Sequence, residues 1–589
     1  MSEVSVHNLT VTYLRSSQPV LHDINLEIES GSVTAFVGQV GAGKSTLFRT
    51  FNGLIPTIVP GKVEGEIVVA GHNVQDQDPA FMAQFINLVF DDPVLQIVNL
   101  TAEEDVAFGP ANLNLPREEV WERTYAAMER VGLVGFEKRD PRSMSGGEQQ
   151  LLALAGILAM RPRIIAMDEP VAMLDPIGKT QVLDAIRELK DTFGATILIA
   201  ESGVDIEPVC EFADQMVLMH KGRILASGCP GEVFARHDLV AQSGLKIPQV
   251  TRVFYQLDST MMKKVPVTLE ESRQLVSQRL DENGSRLSAE QFADSAYALA
   301  ETAAGDTAEQ AIQVKNLHHV FPTDPPVHAL KGINLDIQKG DFVALLGQNG
   351  SGKSTLSFHL VGVEEPTNPD AAITVDGLDV LQSPLSQVVR RINYLFQNPA
   401  NQLFCQTFGE EVAFGPQALG FSPEESEERG RAALRQVGLE QYWEYFTLSV
   451  DKSIETLLSL ATVLAMDPHI LIADEPTGGL DYATGNKLME ILQELNRQGR
   501  TIVVITHDME LAVRYARRIV ILRHGEVWMD GTPQEVFGQP ARLAETRLVP
   551  PQVTRLAQSL ADYGFPNNVL SVEEFVALTR AALANGKEV

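Results

Sequence analysis

The sequence has little cysteine, few aromatic residues and a deficit of positive charge. Three cysteines occur in 589 residues, at Cys210, Cys229 and Cys405, and none forms a CxxC pair. Neither a disulfide framework nor a thiolate metal cluster is expected, and the composition fits a reducing compartment. Aromatic residues make up 6% of the chain, and 77 acidic residues face 47 lysines and arginines.

The formal net charge of −30 argues against a nucleic acid partner, because proteins that bind a phosphate backbone usually present a basic face. A helix that crosses a membrane needs a run of about 20 apolar residues, and the sequence contains no such run. The N-terminus shows no basic region followed by an apolar run, so no secretory signal is expected. Any association with a membrane should be peripheral. The 44% of apolar residues is ordinary for a globular protein, and the length allows several domains.

The chain repeats itself with an offset of about 306 residues, so that Asp168-Glu169-Pro170 returns as Asp474-Glu475-Pro476. Repeats this long indicate duplicated domains rather than a solenoid. Each copy has short apolar runs separated by helical patterns, which predict a parallel sheet covered on both faces and an α/β fold. The predicted strands are Ser32–Val37, Ile164–Met167 and Thr196–Ala200 in the first copy, and Phe342–Leu346, Ile470–Ala473 and Thr501–Thr506 in the second.

Each copy ends in a related tail, in which Ile247–Arg252 is echoed by Pro550–Arg555. Further on, Thr268 and Ser571 each precede a glutamate by three residues, which predicts a capping box that opens a helix. Between the copies the chain is rich in alanine, serine and acid, as expected of a solvated linker that could include a short helix over 289–302. We predict two α/β domains at 1–236 and 311–540, C-terminal extensions at 237–280 and 541–589, and an acidic linker at 281–310.

Both copies contain a GxxxxGK[ST] loop between a predicted strand and a helix. Its glycines let backbone N–H groups converge on phosphate oxygens, and the helix N-terminus adds partial positive charge. Lys44 and Lys353 should reach the β- and γ-phosphates, and Ser45 and Ser354 should bind Mg²⁺. The predicted ATP-binding loops are Gly38, Gln39, Val40, Gly41, Ala42, Gly43, Lys44, Ser45 and Thr46, and Gly347, Gln348, Asn349, Gly350, Ser351, Gly352, Lys353, Ser354 and Thr355.

The two acidic pairs follow apolar strands. Asp168 and Asp474 are expected to hold the Mg²⁺ shell, and Glu169 and Glu475 to orient and polarise the attacking water. The alternative is a carboxylate that only caps the following helix. With the phosphate loops present, the pattern favours hydrolysis of ATP with Mg²⁺ as the cofactor.

These motifs resemble the ATP-binding cassette ATPases over nearly the whole chain. The resemblance implies a signature helix that begins at Ser145, Gly146, Gly147 and Glu148 and faces the γ-phosphate bound by the other domain. It also implies a glutamine that helps to bind the metal, present as Gln397, and a switch histidine, present as His507. The adenine-stacking aromatics would be Tyr13 and Phe321, although an aromatic that only packs against its strand is the alternative.

The sequence departs from the family pattern at positions that sort into two groups. Asp91 stands where the first copy should have the glutamine, and Ser202 where it should have the histidine. In the second copy, Asp451, Lys452 and Ser453 replace Ser-Gly-Gly of the signature. An extra carboxylate repels the γ-phosphate, serine cannot supply an imidazole, and loss of both glycines hinders close backbone approach.

Cassettes of this family pair head to tail, and here the two cassettes would pair within one chain. Lys353, Ser354, Gln397, Asp474, Glu475 and His507 would then work with the intact signature and with Asp175. Lys44, Ser45, Asp168 and Glu169 would face the broken signature, Asp451 to Ser453. The resemblance thus implies one competent composite site and one degenerate site.

Two features indicate which class of ATP-binding cassette ATPases the sequence resembles. The segments Pro93–Val98 and Glu104–Pro110, with their counterparts Pro399–Phe404 and Glu411–Pro416, look like the ATPases of energy-coupling factor transporters, as does the repeated Pro-Gln-Val-Thr-Arg tail. That family takes up vitamins, their precursors or metal ions. It implies a peripheral position on the cytoplasmic face of the membrane and two partners: a membrane coupling (T) protein and a small substrate-binding (S) membrane protein. The segments after Asp91 and Gln397 would be the docking grooves.

Two other functions stay open. One is the ATPase of a sugar importer, which shares one-sided degeneration, and the other is a soluble two-cassette ATPase that acts on ribosomes or DNA. The acidic linker and the broken site count against the second. The transported substrate is not determined by this sequence.

Overall fold

The computed structural model describes residues 2–171, 174, 176–202, 206–257, 262–287, 309–323 and 325–585. The chain divides into two compact units, Met1–Leu275 and Val276–Val589. The strands of the first unit are β1 (Ser2–Tyr13), β2 (Leu21–Glu29), β3 (Val33–Val37), β4 (Gly61–Val69), β5 (His72–Asn73), β6 (Ile86–Val89), β7 (Ile164–Asp168), β8 (Thr196–Glu201), β9 (Gln215–His220) and β10 (Arg223–Gly228).

The helices up to the end of the first extension are α1 (Lys44–Phe51), α2 (Leu54–Thr57), α3 (Pro79–Met82), α4 (Ala102–Asn112), α5 (Arg117–Arg130), α6 (Gly146–Met160), α7 (Pro176–Phe193), α8 (Ile206–Cys210), α9 (Pro230–Phe234), α10 (His237–Ser243), α11 (Gln249–Leu257) and α12 (Leu269–Glu282). The central sheet has the order β10-β9-β3-β8-β7-β6, and β3, β6, β7, β8 and β9 run parallel. A separate antiparallel sheet has the order β2-β1-β4-β5.

The second unit repeats this plan with the strands β11 (Gln310–Phe321), β12 (Val327–Gln338), β13 (Phe342–Leu346), β14 (Ala372–Val375), β15 (Leu378–Asp379), β16 (Ile392–Leu395), β17 (Ile470–Asp474), β18 (Thr501–Ile505), β19 (Arg518–Arg523) and β20 (Glu526–Gly531). Its central sheet has the order β16-β17-β18-β13-β19-β20, and its antiparallel sheet the order β12-β11-β14-β15.

The helices of the second unit are α13 (Lys353–Leu360), α14 (Leu385–Val388), α15 (Phe408–Ala418), α16 (Pro423–Val437), α17 (Lys452–Ala465), α18 (Tyr482–Arg497), α19 (Met509–Tyr515), α20 (Pro533–Phe537), α21 (Pro540–Ala544), α22 (Gln552–Ser559) and α23 (Val572–Asn585). In each unit three helices pack together as a helical subdomain, α4 with α5 and α6, and α15 with α16 and α17.

The predicted α/β fold is confirmed. Every residue of β3, β7, β8, β13, β17 and β18 is buried, as expected when helices cover both faces of a parallel sheet. The acidic residue that follows each apolar run belongs to the strand itself, because β7 ends at Asp168 and β17 at Asp474. The antiparallel sheets were not predicted from the sequence.

The two capping boxes lie where the sequence predicts them. The Glu271 backbone N–H donates to Thr268 Oγ1 at 3.2 Å, and the Glu574 N–H donates to Ser571 Oγ at 3.1 Å. The helix α12 ends at Glu282, two residues into the segment predicted as a linker. Most of that segment, including the candidate helix 289–302, lies outside the described residues. No helix in the described part of the chain is long and apolar enough to span a membrane.

Candidate ATP site

Each phosphate loop joins a buried central strand to a helix, from β3 to α1 and from β13 to α13. Gly43 at the start of α1 has φ of 100°, and Gly352 at the start of α13 has φ of 105°. A Cβ on Gly38 would lie 2.2 Å from the Met219 carbonyl oxygen. Only glycine fits at these positions, because they need either a left-handed backbone or close approach of another strand.

The loop lysines are held over their own loops. Lys44 Nζ donates to the Gly38 carbonyl at 2.7 Å and to the Gln39 carbonyl at 3.2 Å. Lys353 Nζ makes the equivalent bonds to Gly347 at 2.7 Å and to Gln348 at 2.9 Å. Each ammonium therefore lies beside the N-terminus of its own helix. In each unit the ammonium and that helix N-terminus form a cationic cradle that fits the phosphates of a nucleotide.

The aspartates at the strand ends lie next to the loop serines. Ser354 Oγ donates to Asp474 Oδ2 at 3.4 Å, and the Ser45 hydroxyl hydrogen-bonds the Asp168 carboxylate. Burial raises the pKa of both aspartates. A carboxylate and a hydroxyl at the mouth of a phosphate loop are the oxygen ligands that Mg²⁺ uses with phosphates, so these residues fit the predicted metal. They would hold Mg²⁺ against the β- and γ-phosphates.

Glu169 and Glu475 directly follow those strands in a left-handed backbone conformation, with φ of 49° and 43°. Each backbone N–H donates at 2.9 Å to the neighbouring strand, Glu169 to the Ala200 carbonyl and Glu475 to the Ile505 carbonyl. A non-glycine residue in this region is strained by about 1–3 kcal/mol and persists only where its surroundings enforce it. This backbone conformation, held by the bond to the neighbouring strand, sets the direction in which each glutamate leaves its own strand.

The two glutamates have different neighbours. His507 Nε2 lies 3.3 Å from Glu475 Oε1, and the His507 backbone N–H donates to Glu475 Oε2 at 3.3 Å. In the first copy, the Ser202 hydroxyl hydrogen-bonds the Glu169 carboxylate. Ser202 therefore lies against Glu169 as His507 lies against Glu475, but it supplies a hydroxyl in place of an imidazole.

Asp91 and Gln397 are exposed and follow the edge strands β6 and β16. Burial raises the pKa of Asp168 and of Glu169, and the negative charge of Asp91 raises both further. The first copy therefore has a third carboxylate close to its acidic pair. In the second copy the corresponding residue, Gln397, is uncharged.

The two signature helices begin differently. Ser145 caps α6 through a capping box, in which the Ser145 N–H donates to Glu148 Oε2 at 2.7 Å and the Glu148 N–H donates to Ser145 Oγ at 3.3 Å. A Cβ on Gly146 would meet nothing within 4 Å, so the fold of this unit does not require the glycine. In α17 the cap is Asp451, which accepts from the Ile454 N–H at 3.1 Å. Lys452 and Ser453 take the glycine positions.

The two aromatic candidates for adenine stacking differ in their contacts. Tyr13 Oη and Thr46 Oγ1 are 2.9 Å apart, which connects this ring to the phosphate loop. Phe321 is 36% exposed and makes an edge contact with the His319 ring at 4.5 Å. Their stacking on adenine stays a prediction, as does the contribution of Asp175, which lies outside the described residues.

Two contacts near the site were not found from the sequence. The Tyr394 hydroxyl donates to Asp474 Oδ2, and Gln348 Nε2 donates to the Thr546 carbonyl of the extension at 2.6 Å. The first contact did have a sequence signal. When the two copies are aligned on their acidic pairs, Tyr394 corresponds to Leu88, so a residue with a hydroxyl replaces an apolar residue in a buried strand. No local pattern indicates the second.

Apolar side chains are exposed beside Asp91 and Gln397. The first apolar surface consists of Val94, Leu95, Val98 and Leu100, and the second consists of Phe404, Phe414, Tyr445 and Phe446; all eight are at least 49% exposed. The Phe404 and Phe414 rings are in edge contact at 4.8 Å. Where exposed apolar side chains lie in contact, as Phe404 and Phe414 do, they form the kind of patch that marks protein contact sites.

Comparison with known proteins gives the same family for both copies. The model of the ABC transporter family matches residues 21–172 and 330–478. An ABC transporter ATP-binding protein of Caldanaerobacter subterraneus subsp. tengcongensis is 37% identical over 584 residues, covering 98% of this chain and 99% of that protein. One from Methanosarcina mazei is 33% identical over 580 residues, covering 98% and 97%. A solved structure, cbiO1 from Clostridium perfringens, described as part of the ABC transporter complex cbiONQ, is 31% identical, with a TM-score of 0.37 and coverage of 42% of this chain and 99% of that chain.

Proposed function

Because this chain belongs to the ABC transporter family as a tandem ATP-binding protein, we propose that it energises an importer of the energy-coupling factor type. As an ABC ATPase it hydrolyses ATP with Mg²⁺. Its two composite sites divide the work: one hydrolyses ATP, and the other holds nucleotide as a clamp.

One observation carries the division of labour: the Glu475 carboxylate is in contact with His507, whereas Glu169 has Ser202 in that place and Asp91 close by. In a head-to-tail pair, Lys353 would lie across from Ser145, and Lys44 across from Asp451. The intact residues of the second copy would then meet the intact signature, and all the losses would fall on the other site.

In the competent site each residue has a separate role. Lys353 neutralises phosphate charge, and Ser354 and Asp474 would hold Mg²⁺, which would supply positive charge against the charge that develops on the phosphates. Glu475 orients the attacking water and accepts its proton. His507 keeps Glu475 in place through the 3.3 Å contact and presents its imidazole to the γ-phosphate. Gln397 completes the metal site and connects it to the helical subdomain.

The first copy binds nucleotide but hydrolyses it poorly. Its lysine makes the equivalent bonds to its own loop, and its serine is hydrogen-bonded to its aspartate as in the second copy, which supports retained binding. The charge of Asp91 opposes the approach of the γ-phosphate, and Ser202 cannot supply an imidazole. Asp451 would add another carboxylate from the facing signature.

Replacing the two glutamates one at a time tests this division. Glu475→Gln should lower ATPase activity on the order of 10²-fold or more, because the general base is lost. Glu169→Gln should leave most of the activity. The measurement is phosphate release by the purified chain at saturating Mg·ATP. If Glu169→Gln abolishes hydrolysis and Glu475→Gln does not, the sites have been assigned the wrong way round.

The transporter class is supported by the two apolar surfaces. Each follows the residue that joins the sheet to the helical subdomain, Asp91 or Gln397, so a partner bound there would respond to changes at the metal site. Charged residues are depleted at the centre of protein interfaces, and these surfaces consist of aliphatic and aromatic side chains. We propose that they bind a membrane coupling (T) protein, which in turn holds a small substrate-binding (S) protein.

Purification from membranes tests the partners. The tagged chain should bring down two small integral membrane proteins, and Phe404→Asp should weaken their recovery at least tenfold. Val363→Asp is the matched control, because Val363 is also exposed, at 64%, but lies outside both apolar surfaces. Recovery of ribosomes in place of membrane proteins would contradict the importer and favour a soluble two-cassette ATPase.

A further inference from the structure

Tyr394 is placed to act on the metal site of the second copy. It lies on β16, where it pairs with Ile472 of the neighbouring strand β17, two residues before Asp474. Its side chain is 8% exposed, and its ring contacts Phe358 at 5.3 Å and Phe396 at 4.8 Å between centroids. The phenol is therefore held by packing on its aromatic neighbours, independently of any nucleotide.

The hydroxyl of Tyr394 donates to one oxygen of the Asp474 carboxylate, Oδ2. Ser354 Oγ donates to the same oxygen at 3.4 Å. Within the described residues no hydrogen bond reaches the other oxygen, Oδ1. Two hydroxyls thus hold one side of the carboxylate, and the opposite lone pairs remain available to a cation or its water shell.

The first copy lacks this arrangement. Leu88 pairs with Ala166 on β7, two residues before Asp168, so it occupies the position that Tyr394 has in the second copy. Asp168 accepts a hydrogen bond from Ser45, and the negative charge of Asp91 acts on it. Among the described residues, a tyrosine donor to the aspartate is therefore found in the copy that retains Gln397 and His507, and a leucine takes its place in the other copy.

We propose that Tyr394 is a positioning residue for Mg²⁺: its hydroxyl fixes the Asp474 carboxylate in the rotamer that presents Oδ1 to the metal. Catalysis depends on ligands that are held in place before the substrate arrives, and neighbours of metal ligands commonly supply this support. The inference rests on the proposed function in one respect, the assignment of the second copy as the hydrolytic site. It predicts a difference in metal binding that exists whether or not hydrolysis is measured.

The test uses the full chain with Lys44→Ala, so that nucleotide and metal report on the second copy. Electron paramagnetic resonance of Mn²⁺ in the presence of ADP gives the metal affinity. Tyr394→Phe should weaken Mn²⁺ binding about 10-fold, because it removes one hydrogen bond to a charged group. The affinity for ADP without metal should change much less, since the partners of the hydroxyl, Asp474 and Ser354, are the two residues assigned to the metal.

Two further variants separate the hydroxyl from the packing of the ring. Tyr515→Phe is the matched control, because the Tyr515 hydroxyl is buried in the same unit and makes no hydrogen bond in the described part of the chain; it should leave Mn²⁺ affinity unchanged. Tyr394→Leu, which copies Leu88, should weaken Mn²⁺ as much as Tyr394→Phe does, even if it also lowers the melting temperature.

The proposal is overturned if Tyr394→Phe binds Mn²⁺ as tightly as the parent, or if only Tyr394→Leu is impaired, since packing would then account for the effect. An equal loss in Tyr515→Phe would also overturn it. Failure of the proposed function has a different signature: Glu475→Gln would keep its ATPase activity while the Mn²⁺ measurements on Tyr394 stayed interpretable.

Discussion

Glu169 and Glu475 share a strained backbone but differ in what surrounds their carboxylates. Burial is the largest cause of the raised pKa of Glu169, and the negative charges of Asp168 and Asp91 raise this pKa further. Lys44 and the hydrogen bond from Ser202 act in the opposite direction and lower it. The fold therefore disfavours the ionised forms of Asp168 and Glu169, which lowers stability at neutral pH. Single residues retained for function commonly reduce stability in this way.

Removing one of these charges should stabilise the nucleotide-free protein. A carboxylate whose pKa is raised by folding binds its proton more tightly in the folded state, so stability falls as pH rises from the ordinary carboxyl range near 4 through the raised value. Glu169→Gln should therefore raise the melting temperature at pH 8 by about 2–4 °C, and by less at pH 5. Differential scanning calorimetry without Mg²⁺ measures both.

The control for this prediction is Glu122→Gln, which changes an exposed glutamate on α5 and should leave the melting temperature within about 1 °C. A melting temperature that falls in Glu169→Gln would show that the carboxylate stabilises the apo fold, contrary to the expected sign.

Among whole elements, the phosphate loops and the C-terminal extensions are in direct contact. Gln348 Nε2 donates to the Thr546 carbonyl at 2.6 Å, just after α21. In the first unit, a Cβ on Gly244, just after α10, would lie 2.3 Å from Gln39 Nε2. The same loop residue thus reaches the same end of the extension in both copies, which argues that the extension supports the loop.

Cutting this contact should loosen the loop and weaken nucleotide binding. Gln348→Ala, combined with Lys44→Ala, should raise the Kd for ATP about 3- to 10-fold, the loss expected for one hydrogen bond that orders a ligand-binding loop. Isothermal titration calorimetry provides the measurement. Gln382→Ala, an exposed glutamine of the same unit, serves as the control. Equal affinities in the two variants would mean that the extension does not support the loop.

For the molecule as a whole, the two copies should differ in turnover but not in their capacity to bind. The chain should bind two ATP molecules, and Lys44→Ala or Lys353→Ala should each reduce the ratio to one, because each lysine neutralises the phosphates of its own site. Lys353→Ala should also lower ATPase activity on the order of 10²-fold, and Lys44→Ala should lower it much less. Equilibrium dialysis with labelled ATP gives the ratio. A ratio of one in the unmodified chain would exclude the clamp.

The sequence alone determined the α/β fold, the two phosphate loops, the acidic pairs and the capping boxes. These features are local: a glycine-rich loop, an apolar run that ends in acid, or a Thr three residues before Glu is encoded by neighbours in the chain. The sequence also showed that Asp91, Ser202 and Asp451 differ from the residues at the corresponding positions of the other copy, because the duplication provides an internal comparison.

Only the tertiary structure decided what those residues contact. Tyr394 on β16 donates to Asp474 on the neighbouring strand β17, 80 residues away in the chain, and Gln348 donates to the Thr546 carbonyl, 198 residues away. The antiparallel sheets were missed for a similar reason, since β1 pairs with β2 and β4, and strand pairing is selected by packing between distant segments. Local propensity determines the elements of this protein, whereas long-range packing determines which side chain supports the metal site.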